Sequence, residues 1–395
     1  MVNDLTVVIG GGAAGLLAAI CIGRQGKPVI ICEKTAQLGK KILATGNGRC
    51  NLLNDDLNEL HYNSNARDLV KSVFTRFGKA EILDFFRSLG LEVYSQEGRI
   101  FPVTNQAASV LKVLEMELRR LSIPVEYSFD CTSLAFSNNG ISVISKTGKN
   151  IECEKVIVTG GGMTYPAFGS DGSTYEIARK IGHTIIQPVP SVVPLRVKDS
   201  LCHNLQGQKI SAVVKSVIDG RISSIVKGEL LFTKYGLSGT CILDSSEVIS
   251  IAMNRLHKTD ISVVVDMVPF IDKEGLLHEI ERRKKDRWLD EEMLTGILPN
   301  KFSTTLKGIF EKYDANTSIG LIKDRHFQVT GTLGWNEAEF TSGGIKTDEI
   351  QLGTLESRLQ KGVYFAGEIL DVNGKRGGYN LGWAWASGYV AGQTK

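Results

Sequence analysis

The segment Leu5-Thr6-Val7-Val8-Ile9-Gly10-Gly11-Gly12-Ala13-Ala14-Gly15-Leu16-Leu17-Ala18-Ala19-Ile20 decides the fold. An apolar, β-branched run passes at once into a glycine turn and then into a small, apolar, helix-forming stretch. A second apolar run, Pro28-Val29-Ile30-Ile31-Cys32, ends at Glu33. The order is strand, glycine turn, helix and strand, with an acid at the tip of the second strand. Gly10 allows the tight turn, Gly12 lets a diphosphate approach the backbone, and Gly15 lets the helix pack close to the sheet. The helix opens at Ala13 and Ala14, whose end of the helix offers N–H groups to phosphate. Glu33 can accept hydrogen bonds from ribose hydroxyls. A glycine turn that merely joined two elements would leave Glu33 unexplained.

At 395 residues the chain exceeds one small core, so two or three domains or subdomains are expected. The net charge is +3 and the cations are spread along the chain, which gives no nucleic-acid footprint. The run Arg282-Arg283-Lys284-Lys285 sits among Glu279, Glu281 and Asp286 and reads as a solvated helix face. No apolar stretch reaches membrane-spanning length, and the first strand begins without a charged leader. Seven scattered cysteines with no CxxC point to reduced thiols in a cytoplasmic protein and away from a zinc or other metal site. The expected ligand is a small molecule; the oligomeric state is not legible.

Glu33 suits a ribose with a free 2′-hydroxyl, which fits FAD or NAD and disfavours NADP at this site. Lys34 to Asn51 favours FAD. A simple dehydrogenase has little need of a glycine- and lysine-rich loop here, whereas an extended FAD needs a second cradle. Gly39, Gly46 and Gly48 permit close backbone approach, and Lys40, Lys41 and Arg49 can offset phosphate charge or polarise the flavin edge. The C-terminus supplies the other half. Gly362-Val363-Tyr364-Phe365-Ala366-Gly367-Glu368 reads as a strand ending in an acid that can bond a ribityl hydroxyl. Asp371, Gly374 and Gly377-Gly378-Tyr379-Asn380-Leu381 follow, and then a small-residue helix reaching Gly392. A helix opening at Gly378–Leu381 would point its positive end at the flavin O2/N1 region.

With these residues together, the chain resembles the BaiN/YhiN-like NAD(P)/FAD-dependent oxidoreductases, within the two-dinucleotide-binding-domain flavoproteins. The matching blocks are Gly10–Gly15 with Glu33-Lys34, and Leu38-Gly39-Lys40-Lys41 through Gly46-Asn47-Gly48-Arg49-Cys50-Asn51. They continue at Gly228–Thr233 with Gly236–Gly239, at Thr159-Gly160-Gly161 with Tyr165-Pro166 and Gly169, and at Phe365–Glu368 through Gly377–Leu381. The family pattern has a His where this chain has Lys234 and a Pro where it has Thr240, so no role is carried over to those positions. The resemblance implies non-covalent FAD, NAD(P)H as a transient donor, and hydride transfer through flavin N5. It implies reduction of an activated C=C bond in a hydrophobic, steroid-like small molecule. Two other functions stay open, a flavin amine oxidase and an FAD-binding protein with a non-catalytic or RNA-associated role.

The expected architecture is α/β: a Rossmann-like FAD-binding domain interrupted by a β-rich, barrel-like and helical insert. Residues 1–190 form its first part, with helical segments at Asn65–Leu89 and Ala107–Leu121 and a proline-marked linker at Pro188–Pro194. Residues 191–266 form the β-rich insert and 267–326 a helical subdomain. The chain re-enters the FAD domain at Phe327, giving 327–395 as its C-terminal part. Substrate is expected between the FAD domain and the insert. Cys50 invites a redox reading, but the CxxxxC partner positions are Thr45 and Asp55, so it reads as a packed loop residue. Gly160-Gly161-Gly162 runs into Met163-Thr164-Tyr165-Pro166 and reads as a turn of the FAD domain, without a second nucleotide fold. The catalytic acid or base is not legible; Arg49 and Tyr165 are candidates, while Arg49 and Arg99 could serve the phosphates of a nicotinamide donor. The six histidines show no ligand-like pairing.

Overall fold

The computed structural model describes residues 4–138 and 140–393. Strand β1 (Thr6–Ile9) leads through the glycine turn into helix α1 (Ala13–Arg24), and β2 (Val29–Cys32) follows. Strands β3 (Val125–Glu126), β4 (Lys155–Val158) and β5 (Val363–Phe365) complete a parallel sheet in the order β5-β4-β1-β2-β3. Strands β2 and β3 lie on one side of β1, and β4 and β5 on the other. The carboxyl end of β1 is therefore the topological switch point, where open α/β sheets bind ligands. Buried on both faces, the strands read as continuous Val/Ile runs rather than alternating ones. The last helix, α2 (Tyr379–Gly392), packs along α1.

The chain divides into two compact units, residues 1–188 with 340–395, and residues 189–339. The second contains a closed antiparallel barrel whose strands run in the order Leu195–Val197, Gly236–Ser238, Arg221–Thr233, Lys209–Ile218, Ile261–Asp266 and Arg325–Thr332. Each unit has its own apolar core.

Several expectations are corrected. The chain returns to the first unit at Phe340, not Phe327, because Arg325–Thr332 pairs with both Leu195–Val197 and Ile261–Asp266 and closes the barrel. The segment 267–326 is not a separate subdomain. Its Leu276, Phe302 and Ile319 share one core with barrel residues Phe232, Val263 and Phe327, and the Phe232 and Phe302 rings lie 5.5 Å apart. The stretch 195–266 is not all β, since Thr240–Asn254 is a helix that buries Cys241, Ile242 and Ile249. Its β-branched residues are overridden by tertiary packing. Pro188 and Pro190 of the proline-marked linker lie in strand Ile185–Ser191, which pairs with Phe340–Ile345 in a two-stranded ribbon, where a missing N–H is tolerated. The segment Asn65–Leu89 forms two helices, Arg67–Phe74 and Lys79–Ser88, broken at Gly78.

The basic run of Arg282–Lys285 is only partly a solvated face. Arg283 is buried, donates to Glu279 and to the carbonyls of Met293 and Thr295, and stacks on Trp288.

Candidate functional site

The glycine turn behaves as its spacing requires. Gly10 has φ +102°, and a Cβ there would lie 2.7 Å from the Thr159 carbonyl oxygen. A Cβ on Gly15 would lie 1.9 Å from the Gly10 carbonyl oxygen, so the helix is in backbone contact with the turn. Gly12 faces open space, with nothing within 4 Å of the position a Cβ would take. Helix α1 has no side-chain cap and no acid in its first turn, so its N-terminal amides and dipole are available to an anion. Glu33 is buried at the tip of β2. Its two oxygens accept N–H bonds from Gly11 and Thr35, both at 2.7 Å. Those bonds fix the carboxylate and leave further lone pairs for a ligand hydroxyl.

The second helix extends this cradle. A Cβ on Gly388 would lie 2.1 Å from the Ala14 carbonyl oxygen, and one on Gly392 2.6 Å from that of Ala18. The matched spacing makes α1 and α2 parallel, with their backbones in contact. Gly388 is level with Ala14, so along their shared direction α2 begins about 12 Å before α1, at 1.5 Å per residue. Its N-terminus also lacks a side-chain cap or an acid in the first turn. Two uncapped positive helix ends, staggered along one direction, suit an elongated ligand with a diphosphate at one point and negative charge at another.

Distant sequence blocks meet at the start of α2. Asn51 donates through its amide nitrogen to the Leu53 carbonyl (2.9 Å) and accepts from the Gly378 N–H (3.1 Å). Asn54 donates to the Gly377 carbonyl at 2.9 Å. The Asn380 side chain clamps Gly374 by both its N–H and its carbonyl, each at 2.8 Å, so its contact is with the loop. Tyr379 accepts at its carbonyl from the Tyr62 hydroxyl, and Leu381 packs on the core. Asp371 is buried and accepts from the Asn373 amide.

A second cluster surrounds Glu368. Lys41 is ion-paired to Glu368 at 2.5 Å and also donates to the Thr164 hydroxyl. The other oxygen of Glu368 accepts the Thr341 N–H at 2.7 Å, and the Thr341 hydroxyl accepts the Met163 N–H at 2.7 Å. Lys34 likewise pairs with acids, Asp171 at 2.7 Å and Asp130 at 3.4 Å. Lys41, expected as a cation for the phosphates or the flavin edge, thus holds a carboxylate, as does Lys34; Lys40 is half-buried. Gly39 takes the left-handed N-cap position of the short helix Lys40–Ala44. Gly160 and Gly161 lie against Thr174 and Ser170, and Gly367 lies against Ala14. Tyr165 adopts φ 55° and stacks on Phe168, with ring centroids 5.4 Å apart.

The loop after Lys40–Ala44 is strained. Asn47 and Cys50 both have positive φ, a conformation non-glycine residues rarely adopt. Cys50 is fully buried, and burial pushes its thiol up to about 12, so it carries no thiolate near neutral pH. Arg49 points the opposite way. It is exposed, and its guanidinium lies 4.5 Å from the centre of the Phe101 ring.

Histidine pairing in the sequence gave no sign of His61. The imidazole packs against Tyr379, with ring centroids 4.6 Å apart, and its Nε2 lies 2.7 Å from the Asp56 carboxylate. That bond, joined by one from Asn58, holds the Asp56 carboxyl below its ordinary range. His61 Nδ1 is buried and has no partner among the described residues. The one local signal was Asp56 and Asn58 just before it, with Asn58 capping the turn Glu59–His61. Thr164 and Thr341 carry no sequence signal, because only the fold brings them to Glu368.

A diphosphate-approach glycine, two uncapped parallel helices and a fixed acid at the β2 tip define a flavin-type dinucleotide-binding protein. The HI0933-like protein Rossmann domain family model matches residues 4–394, and the chain belongs to that family, that of the BaiN/YhiN-like flavoprotein oxidoreductases. It is 37% identical to a 3-dehydro-bile acid delta(4,6)-reductase of Clostridium scindens, over 98% of each chain. It is 28% identical to a ribosomal RNA dihydrouridine synthase of Escherichia coli, over 98% of this chain and 96% of the other. The open conformation of a flavocytochrome c3 fumarate reductase shares the fold, at a TM-score of 0.51 and 14% identity, covering 99% of this chain and 77% of that one. No helix among the described residues is long and apolar enough to cross a membrane.

Proposed function

We propose that this flavoprotein reduces a carbon–carbon double bond conjugated to a carbonyl in a hydrophobic, steroid-like small molecule, with NAD(P)H as the electron donor. FAD, bound without a covalent link, supplies two-electron hydride chemistry. The α1 N-terminus beside Gly12 receives its diphosphate, Glu33 its adenosine ribose, Glu368 the ribityl chain, and the α2 N-terminus at Gly378–Tyr379 the edge of the ring system that becomes negative. Lys41, Thr164 and Thr341 orient Glu368.

Conjugate reduction also needs a proton, delivered to the carbon next to the carbonyl. His61 is the acid best placed for it, since it packs against the first residue of α2. Asp56 holds the ring through Nε2, which leaves Nδ1 as the nitrogen without a protein partner among the described residues. The observation that carries the reading is the staggered pair of uncapped helices with His61 at the farther end. The 37% identity to a steroid-type reductase over the full chain supports the substrate class.

A second reading has specific support. The ribosomal RNA dihydrouridine synthases are also full-length relatives, and a dihydropyrimidine arises from a uracil ring by the same type of conjugate reduction. Against it, the unit 189–339 carries as many acidic as basic side chains, which gives little electrostatic grip on RNA. The test is anaerobic. NAD(P)H should bleach the yellow protein, and a 3-keto-4,6-diene steroid should restore the colour with loss of its long-wavelength absorbance. Recolouring by uridine-containing RNA alone would favour the second reading. Bleaching by amines, with peroxide formed in air, would make the protein an oxidase.

A further inference from the structure

We infer that Arg49 and Arg99 together form a docking site for the phosphates of the nicotinamide donor. The inference rests on the donor assigned above and names where its adenosine-phosphate end binds. Arg99 and Phe101 are two apart in the strand Arg99–Pro102, so their side chains leave the same face. Arg49 lies on Phe101, which places both guanidinium groups on that face. Arg99 lies beside the loop before α2, where a Cβ on Gly377 would be 3.5 Å from its Nε. The two cations therefore border the end of α2 at which His61 packs.

Neither guanidinium has an ion-pair partner among the described residues. Elsewhere in the same unit Arg24, Arg87, Arg120 and Arg179 pair with acids, while Arg67, Arg76 and Arg358 donate to backbone carbonyls. Arg49 is also held in place. The Phe101 ring packs on one side of it, and the loop that carries it holds two left-handed non-glycine residues, Asn47 and Cys50. That strain buries Cys50 and turns Arg49 outward. A fixed, unpaired guanidinium beside a second one is a receptor for a dianion, since each fork offers parallel N–H donors to phosphate oxygens. FAD already has the α1 N-terminus for its diphosphate. No second dinucleotide turn is present in the sequence, so the donor has no helix-end site of its own, and these arginines supply the charge instead.

The experiment is calorimetric titration of the FAD-loaded protein with adenosine 2′,5′-bisphosphate and, separately, with ADP-ribose. At least one should bind, and the one that does distinguishes an NADPH from an NADH donor. Arg49→Gln and Arg99→Gln should each weaken that binding tenfold or more with FAD content unchanged. Arg119→Gln, exposed on the helix Ala107–Arg120, should leave it unaltered. Neither probe binding, or both variants binding like the parent, overturns the assignment. Loss of FAD from both variants overturns it too, because the arginines would then be cofactor ligands. Tighter, arginine-dependent binding of a steroid carboxylate would give the site to the substrate. Reoxidation of dithionite-reduced protein by the enone tests the reductase reading separately. Its failure in the parent would sink that reading while leaving the nucleotide site standing.

Discussion

Gly388 lies in backbone contact with Ala14, and this contact sets the stagger of the two helix ends. A methyl group on Gly388 would reach 2.1 Å from the Ala14 carbonyl oxygen. The obstacle is backbone, so no rotamer change relieves it. Gly388→Ala should therefore cost about 3 kcal/mol, the upper end for overpacking. It should also displace α2 relative to α1 and weaken FAD retention. Thermal melting and flavin content of the variant check both effects, and an unchanged melting point with full FAD would contradict the contact.

Glu33 gives the second prediction. Its two oxygens hold the Gly11 and Thr35 amides and present acceptors at the β2 tip. Glu33→Gln keeps one acceptor oxygen but sets an N–H₂ against the other amide. Glu33→Arg removes both acceptors and buries a cation. FAD affinity, followed by flavin fluorescence, should fall about tenfold for the Gln variant and far more for the Arg variant. Equal affinities would count against a ribose role for this carboxylate.

The unit that carries the site was largely legible because its determinants are local. Strand, glycine turn, helix and acid fall within Leu5–Glu33, and Gly10 and Gly15 each meet backbone where a side chain would clash. The same holds for the barrel, where strict alternation marks a half-buried strand. What was not legible depends on distant contacts. Nothing in Phe327-Gln328-Val329-Thr330 says which of two sheets it joins, and its pairing with both Leu195–Val197 and Ile261–Asp266 assigns it to the barrel. Lys41 looked like a phosphate ligand because a lysine's charge is visible in sequence, while its partner Glu368 lies 327 residues away. His61 was passed over because its importance comes from Tyr379, far along the chain.

His183 should make stability depend on pH. It is buried between the Glu349 carboxylate, 3.0 Å from Nδ1, and the Ser357 hydroxyl, 2.7 Å from Nε2. Burial lowers its pKa below the ordinary 6.5, against the opposing pull of Glu349. Burial acts to raise the Glu349 carboxyl, but the Thr184 and His183 bonds outweigh it and the net shift is downward. In both cases the unfolded chain binds more protons on acidification, so both shifts destabilise the fold as pH falls. The melting temperature should decline below about pH 6.5 through His183 and again below about pH 4.3 through Glu349. His183→Asn should flatten the first step; a parent protein equally stable at pH 7 and pH 5 would rule it out.

Cys50→Ser should leave reduction of the bound flavin by its donor within about threefold of the parent rate. The thiol is fully buried, stays protonated, and has no second cysteine in register. A hydroxyl at the same position is smaller and asks for a hydrogen bond, which Thr45 is near enough to supply. The expected cost is in stability, on the order of 1 kcal/mol for the buried polar atom. Loss of all turnover with FAD retained would instead demand a thiol step.

His61→Gln should separate the two halves of the reaction. The proton that saturates the second carbon is needed only when the acceptor is reduced, so reduction of the flavin by NAD(P)H should keep its rate. Reoxidation by the enone should slow about 100-fold, the lower range for loss of a general acid. Asp56→Asn should slow the same half-reaction less, because the carboxylate positions the ring without giving up the proton. Stopped-flow absorbance of the flavin measures both halves on one sample. A His61→Gln variant slowed equally in both would mean a structural role through Tyr379, and one slowed in neither would mean that another group delivers the proton.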